Sequence, residues 1–556
     1  MVWGGFVVFV NYTSGENLMK IFVLCKPYLL KYKLPLIVYL SISVFVGLFA
    51  MVNPFLIGNF IDSLIAGGSM AVVYRFSIIF AGLNVVRTGL SYITMIIYTK
   101  TQSRSAHEFS QDVIAHVQGL SLSFVNKRDT NYLSQVINGD TNMLIIFCIS
   151  VVNSFILNSV YFIVPLIILI YLNAYVTLVL MIFMLVYIFI YIKFKKPLFN
   201  RSMAQRVAQN AFFANLLEQL KLTRFIKINV LSRFFRGRMD NSFDELIDKT
   251  LKMQKLGFLY SSLDTVVTTI VQIALFLLGG YLILNGNFSI GMFTIFSMYF
   301  NMMLGAAKYF FDFGKSYQDN LVSYNRLSEI LLSEYETCGF LKLDTIDKIL
   351  VSDLSFSYDE SEKNSTLSNF SYEFSKGNIY GIIGKNGAGK TTLVNLLIGM
   401  YIDEKQGEIR FNGISSKELD MVFLRDRHIG LSEQEPVILN ENFDNNIKLL
   451  AHENKKIDLE RYLSVLNLDE LASKMQKDDK LSPLNFSGGE KQKLSILRVL
   501  LKDASIMFFD EPTSAMDIES GAKFMRLMRE MKHDKIIIII SHDESAMKEC
   551  DYLIHL

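Results

Sequence analysis

Charge is what this chain has least of. Of its 556 residues only 19% are Asp, Glu, Lys or Arg, against roughly 25% in ordinary globular proteins. Hydrophobic residues make up 51% and aromatics 13%, and mean hydropathy is +0.32. A soluble enzyme, a disordered tail and a collagen-like fibre are excluded on composition. No sign of charge is in surplus either: 55 basic residues face 53 acidic ones, net +2, so the basic footprint of a nucleic-acid-binding protein is missing. The four cysteines (Cys25, Cys148, Cys338, Cys550) are scattered without a CxxC pair. They read as ordinary thiols of a reducing compartment, not as a disulfide or metal framework. Tryptophan occurs once, as Trp3, in a stretch that fits nothing that follows. Within residues 1–18 the apolar run Phe6-Val7-Val8-Phe9-Val10 is too short to span a membrane and has no small-residue cleavage site, so it is read as an N-terminal extension rather than a secretory signal.

What the chain does have is long apolar runs, nearly all before residue 315. A membrane span needs about 20 mostly apolar residues, and six stretches qualify: 34–58, 76–98, 144–171, 174–192, 256–284 and 289–307. Only Leu172-Asn173-Ala174 separates the third from the fourth, so a turn is expected there. Lysine and arginine flank the spans unevenly. Lys20, Lys26, Lys31 and Lys33 precede the first, Lys100 and Arg104 follow the second, Lys127 and Arg128 precede the third, and Lys193, Lys195, Lys196 and Arg201 follow the fourth. The opposite loops, at Gly67-Gly68-Ser69, Leu172-Asn173-Ala174 and Asn285-Gly286-Asn287, carry none, with Arg75 the one basic exception on that side. This asymmetry puts both termini in the cytoplasm. The expected organisation is an extension (1–18), a transmembrane domain (19–336), a linker (337–347) and a soluble α/β domain (348–556). Arg87 falls halfway along the second span, where a charge needs a wet cavity or a partner. Asp264 or a helix end would supply the partner; an anionic group on a transported molecule is the other reading.

The soluble part announces its chemistry. The β-prone run Ile379-Tyr380-Gly381-Ile382-Ile383 leads into Gly384-Lys385-Asn386-Gly387-Ala388-Gly389-Lys390-Thr391-Thr392, a complete GxxxxGK[ST] phosphate loop. Glycines let successive backbone N–H groups converge on phosphate oxygens, and the following helix turns its positive end toward them. Lys390 is the residue to reach the β- and γ-phosphates, and the Thr391 hydroxyl is a Mg²⁺ ligand. Downstream, Ile506-Met507-Phe508-Phe509 ends in Asp510-Glu511. Asp510 is placed to hold Mg²⁺ through water, and Glu511 to orient and deprotonate the attacking water.

The stretch Asn485-Phe486-Ser487-Gly488-Gly489-Glu490-Lys491-Gln492 resembles the signature loop of ATP-binding cassette (ABC) transporters, usually LSGGQ. Other elements resemble the family in order and spacing. Tyr358 looks like the aromatic that stacks on adenine, and Gln434 like the Q-loop glutamine, a further metal contact. Ser514-Ala515-Met516-Asp517 resembles the D-loop, and Ser541-His542-Asp543, after five isoleucines, places His542 as the switch histidine. Leu122 to Thr130, before Asp140, resembles the short transverse helix that rests on the cassette, and Glu218 through Lys227 the approach to a second one. Phe486 and Glu490 depart from the common Leu and Gln, and only fourteen residues follow His542 (556 − 542), fewer than is usual in the family.

The resemblance implies an exporter-type half-transporter, an all-α six-helix transmembrane domain with long cytoplasmic extensions plus a P-loop NTPase domain with a helical subdomain. It implies ATP and Mg²⁺ as cofactors, a bacterial plasma membrane location and no nucleic-acid partner. It also implies a second half-transporter, a homodimer in the simplest form and a heterodimer otherwise. Each phosphate loop would then face the other chain's Ser487-Gly488-Gly489. Three functions stay open: export of an amphipathic peptide or natural product, translocation of lipids or drugs, and ATP-binding membrane sensing without transport.

Overall fold

The computed structural model describes residues 14–358, 366–403, 405–451, 458–474, 486–514 and 516–556. Most of the expected 1–18 extension, Asn485 of the signature and Ala515 of the D-loop lie outside the described residues. The chain forms two compact units. One holds the residues up to Ala115 together with Thr130–Leu332, and the other holds His116–Asp129 together with Ser333–Leu556.

The first unit is helical. Five of its described helices are long and apolar enough to cross a membrane: Lys33–Ile65, Met70–Gln118, Tyr132–Lys221, Ser232–Leu284 and Ile290–Phe310. The longest run carries both the third and fourth expected spans and is broken at Asn173, whose backbone is extended (φ −163°, ψ 100°). The side-chain carbonyl of Asn173 accepts the N–H of Val176 at 3.1 Å, which caps the new helix much as a free helix start is capped. Asp62 binds the start of the last helix. Its carboxylate accepts the Ser289 hydroxyl at 2.6 Å and the Gly291 N–H at 2.7 Å. Glycine is required there, because a Cβ on Gly291 would lie 2.1 Å from the Gly58 carbonyl oxygen. Phe296, Met303, Leu169 and Leu180 fill the core, and the Tyr299 hydroxyl donates to the Met51 carbonyl at 2.6 Å. Arg87 is half-buried and forms no ion pair among the described residues. Asp264, one partner weighed for it, pairs with Lys308 at 2.8 Å. An N-terminal helix, Ser14–Lys31, buries Ile21, Cys25 and Tyr28. It is tied to the far end of the second long helix by Tyr28–Asp112 (3.0 Å) and Lys31–Glu108 (2.8 Å).

The second unit is built on two sheets. Its strands are β1 (Lys348–Phe356), β2 (Leu367–Ser375), β3 (Asn378–Ile383), β4 (Gln406–Phe411), β5 (Ile414–Ser415), β6 (Ile429–Ser432), β7 (Ile506–Asp510), β8 (Ile536–Ile540) and β9 (Tyr552–His555). β2-β1-β4-β5 form an antiparallel sheet and β6-β7-β8-β3-β9 a parallel one. The parallel sheet is buried on both faces, which is why its strands read as unbroken apolar runs. Side chains alternate between the faces. Ile536, Ile538 and Ile540 enter one core with Phe508 and Ile382, while Ile537 and Ile539 enter the other with Met507 and Phe509.

Residues 116–129 belong to this unit although the chain visits them two hundred residues early. Leu120 bridges to Tyr335, the Glu336 N–H donates to the Gly119 carbonyl at 2.9 Å, and His116 Nδ1 lies 2.8 Å from the Tyr335 hydroxyl. The short helix Leu122–Asn126, capped by Ser121, lays Leu122 against the first of the two cores. The expected linker also lies against the unit: the Gly339 N–H donates to the Leu419 carbonyl at 3.0 Å.

Candidate nucleotide-binding site

β7, β8 and β3 run side by side, with Asp510 opposite Ile540 and Ile540 opposite Ile382. Their carboxyl ends therefore open on one edge, the place where parallel sheets bind ligands. After β3 the phosphate loop turns into the helix Lys390–Leu397. Gly387 and Gly389 hold φ of +83° and +91°, and a Cβ on Gly389 would stand 2.7 Å from the Thr366 carbonyl oxygen, so the turn demands glycine. Gly384 starts the loop, Lys385, Asn386 and Gly387 are exposed at its tip, and Ala388 is half-buried. The Lys390 ammonium donates to the Gly384 carbonyl at 2.7 Å and lies 3.0 Å from His542 Nε2. Lys390 thus closes the loop on itself and meets the end of β8.

The Thr391 hydroxyl donates to Asp510 Oδ2 at 3.1 Å. Burial pushes the Asp510 carboxyl up from its ordinary range; Glu511 and Glu433 push the same way, while the Thr391 bond and Lys390 oppose them. A buried carboxylate beside a hydroxyl and a second carboxylate is a hard-oxygen donor set that fits Mg²⁺. Gln434 is exposed, two residues beyond β6 and one strand over from Asp510. Thr392 is buried and shares a 3.2 Å hydrogen bond with the Tyr358 hydroxyl. The Tyr358 ring stands edge-on to Phe356 and Tyr401 and is half-exposed at 48%, which leaves part of it available for stacking.

Glu511 follows β7 with φ of +51°, a left-handed backbone uncommon for a residue with a Cβ. Its carboxylate accepts the Ser541 hydroxyl at 3.3 Å and the His542 N–H at 3.4 Å. His542 Nε2 is 3.7 Å away from it. The strained backbone is held from behind. The Gln492 amide donates to the Glu511 carbonyl, and the Ser514 hydroxyl donates to the same oxygen at 2.9 Å. Gln492, Ser514 and Ser541 lie within the quoted motifs, but the motifs give no sign that their side chains hold Glu511. Gln492 carried a usable signal: it is polar in the same helical register as the buried Ile496 and Val499.

The signature turn lies at another helix. Ser487 caps Gly488–Lys502 in a capping box with Glu490: the Ser487 N–H donates to Glu490 Oε2 at 2.8 Å and the Glu490 N–H to Ser487 Oγ at 3.3 Å. Glu serves that motif as well as Gln. Phe486 is buried in the second core. Both departures from LSGGQ therefore have structural work. Ser487 and Gly488 are exposed, Gly489 is half-buried, and among the described residues none of the three bonds to this chain's phosphate loop.

Residues 36–307 match the family of the ABC transporter transmembrane region, and residues 367–514 match the ABC transporter family. The leukotoxin translocation ATP-binding protein LktB of Mannheimia glucosida is 25% identical over 95% of this chain and 75% of its own length. The alpha-hemolysin translocation ATP-binding protein HlyB of Proteus vulgaris is 26% identical over the same shares. Among solved structures, a bacterial Atm1-family ABC exporter with ATP bound superposes with a TM-score of 0.78 at 18% identity, covering 94% of this chain and 92% of that one. With membrane region and cassette fused in one polypeptide, the chain belongs to the ABC transporter family as an exporter-type half-transporter.

Proposed function

We propose that this half-transporter works as a dimer, most simply of two copies, and uses ATP hydrolysis to move an amphipathic peptide or natural product out of the cytoplasm. The observation that carries the reading is the convergence of Lys390, Thr391, Asp510, Glu511 and His542 at the ends of three neighbouring strands. Lys390 and the loop amides bind the phosphates, and Tyr358 meets the adenine. Thr391, Asp510 and Gln434 would hold Mg²⁺, which would neutralise charge on the β- and γ-phosphates. Glu511 accepts a proton from water as the water oxygen attacks the γ-phosphorus. The bond to the bridging oxygen then breaks, leaving ADP and phosphate. His542 steadies the γ-phosphate. Exposure of Ser487 and Gly488, away from the chain's own phosphate loop, supports a site completed by a second chain. Closure of two cassettes around ATP then biases the membrane helices between two states.

Two of the relatives are named for translocation of leukotoxin and alpha-hemolysin, which favours peptide cargo over the lipid or drug alternative. Glu511→Gln tests the reading, because it keeps shape and hydrogen bonding but removes the proton acceptor. Phosphate release should fall by roughly 10²–10⁴ with ATP affinity retained, and ATP-driven uptake into inside-out vesicles should stop. Hydrolysis at the parental rate would remove Glu511 from the role of base.

A further inference from the structure

The helix Ser14–Lys31 has two apolar sides. Ile21, Cys25 and Tyr28, spaced i, i+4, i+7, turn into the protein. On another side Met19, Val23 and Leu30 stay exposed, with Lys26 among them. Beneath that outer stripe lies a cavity of about 330 Å³. By the same measure one water needs only about 10–15 Å³, so the space is far larger than a solvent site and is of the size an acyl-chain segment occupies. Phe22, Val23, Leu36, Leu40 and Ile149 line it, and Lys26, an exposed residue, is the one charged side chain in the lining. Water gains nothing in such a lining, since it offers almost no hydrogen-bond partner.

The cavity's second wall is the start of the first membrane helix, Lys33–Ile65. Lys33, Leu36 and Leu40 are spaced three and four apart and therefore share a face. At ~1.5 Å per residue, Leu36 and Leu40 stand about 4.5 and 10.5 Å beyond Lys33 along the axis. That is the order in which a phospholipid presents a headgroup and then its chain. Leu34 and Ile37 of the same helix, which do not line the cavity, are 69% and 59% exposed, so the helix beside it presents further apolar surface to the acyl phase. The lysines around it differ in their partners. Lys31 is spent on Glu108, whereas Lys26 and Lys33 are exposed and form no ion pair among the described residues.

We infer that this cavity is a lipid site, taking one acyl chain of an anionic phospholipid while Lys26 and Lys33 hold its headgroup. A zwitterionic phospholipid fits the apolar part equally well but gains less from the two cations. Each lysine near a membrane surface is worth about five-fold in binding to anionic lipid, so the pair should give a preference on the order of twenty-fold.

The probe is a tryptophan at the cavity. Trp3, the only tryptophan, is replaced by Phe, and Phe22→Trp is added. The full-length protein is reconstituted in mixtures of phosphatidylcholine and phosphatidylglycerol, one or the other brominated along the acyl chain. Brominated phosphatidylglycerol should quench at a mole fraction on the order of twenty-fold lower than brominated phosphatidylcholine. Lys26→Gln with Lys33→Gln should bring the two curves together. Equal quenching in the parent would mean ordinary surrounding lipid, and no quenching by either would mean a closed cavity; both overturn the site. A preference that survives the double variant overturns the role of the lysines. Should Phe22→Trp fail to fold, native mass spectrometry of the protein with its natural Phe22 decides instead. Retained phosphatidylglycerol that is lost in the lysine double variant supports the site, and equal retention in both overturns it.

Discussion

Asp510 and Glu511 are adjacent, yet their surroundings assign them different tasks. Asp510 is buried and accepts the Thr391 hydroxyl, whereas the Glu511 carboxylate reaches across to Ser541 and His542. Asp510→Asn keeps the hydrogen bond to Thr391 and removes the charge proposed to hold Mg²⁺. Affinity for ATP in the presence of Mg²⁺ should fall by roughly 10–100-fold, with little change in metal-free binding, as a nucleotide titration with and without Mg²⁺ would report. A second buried charge lies away from the site. Burial, and then the neighbouring Lys417, bring Lys405 from 10.5 down to about 8, against a small opposing pull from Glu408. Its Nζ donates to the Ser416 hydroxyl at 3.0 Å. Because the folded value is below the unfolded one, the ammonium form penalises the fold. The penalty is fully present below about pH 8 and disappears as pH rises toward 10.5. Its size, 10.5 − 8 in pKa at 1.36 kcal/mol per unit, is on the order of 3 kcal/mol. Lys405→Met should therefore raise the cassette's melting temperature at pH 7. It should also flatten the rise in stability that the parent shows between pH 8 and 10, both read from thermal unfolding across that range.

At the scale of elements, the helix Gly488–Lys502 depends on its first turn. Glu490→Ala breaks the capping box and should cost the cassette about 1 kcal/mol, seen as a lower unfolding temperature, whereas Glu490→Gln keeps the box and should leave it unchanged. The pair separates a structural use of Glu490 from an effect on nucleotide. Much of this domain could be read from the sequence because its elements are local. The phosphate loop is nine consecutive residues bounded by a strand and a helix, and the five isoleucines of β8 are what a doubly buried strand needs. The family's motifs then placed Thr391 and Asp510 in one site although 119 residues separate them. What was not legible is support that arises only on folding. Gln492 reaches Glu511 from a helix nineteen residues earlier; its helical register announces that it is buried, but not which residue it meets. In the membrane unit, Asn173 marks the break between two apolar runs because its short polar side chain can cap a helix. The pairing of Asp264 with Lys308 was not readable, since nothing in either helix specifies which of its neighbours it meets.

For the molecule as a whole, the uneven lysine and arginine flanks set the topology expected in the membrane. The expectation is that Gly67-Gly68-Ser69 lies outside the cell and Leu556 inside. A single cysteine introduced at Ser69, which is exposed, should react with a membrane-impermeant maleimide in intact cells. Reaction only after permeabilisation would reverse the assignment.

The placement of residues 116–129 also has a bearing on how the protein comes into being. The cassette is not assembled from one continuous piece of chain, since one of its parts is translated 203 residues (130–332) before the next. At ~5–20 residues per second, roughly 10–40 s of synthesis separates them. During that interval Leu122 has no core to enter and the Gly119 carbonyl has no N–H from Glu336. The segment must wait in water while the intervening apolar helices pass into the bilayer. Completion of the nucleotide domain is thereby made to follow insertion of the membrane domain, so that a chain stalled or misinserted midway carries an unfinished cassette. Assembly order is written into the path of the backbone.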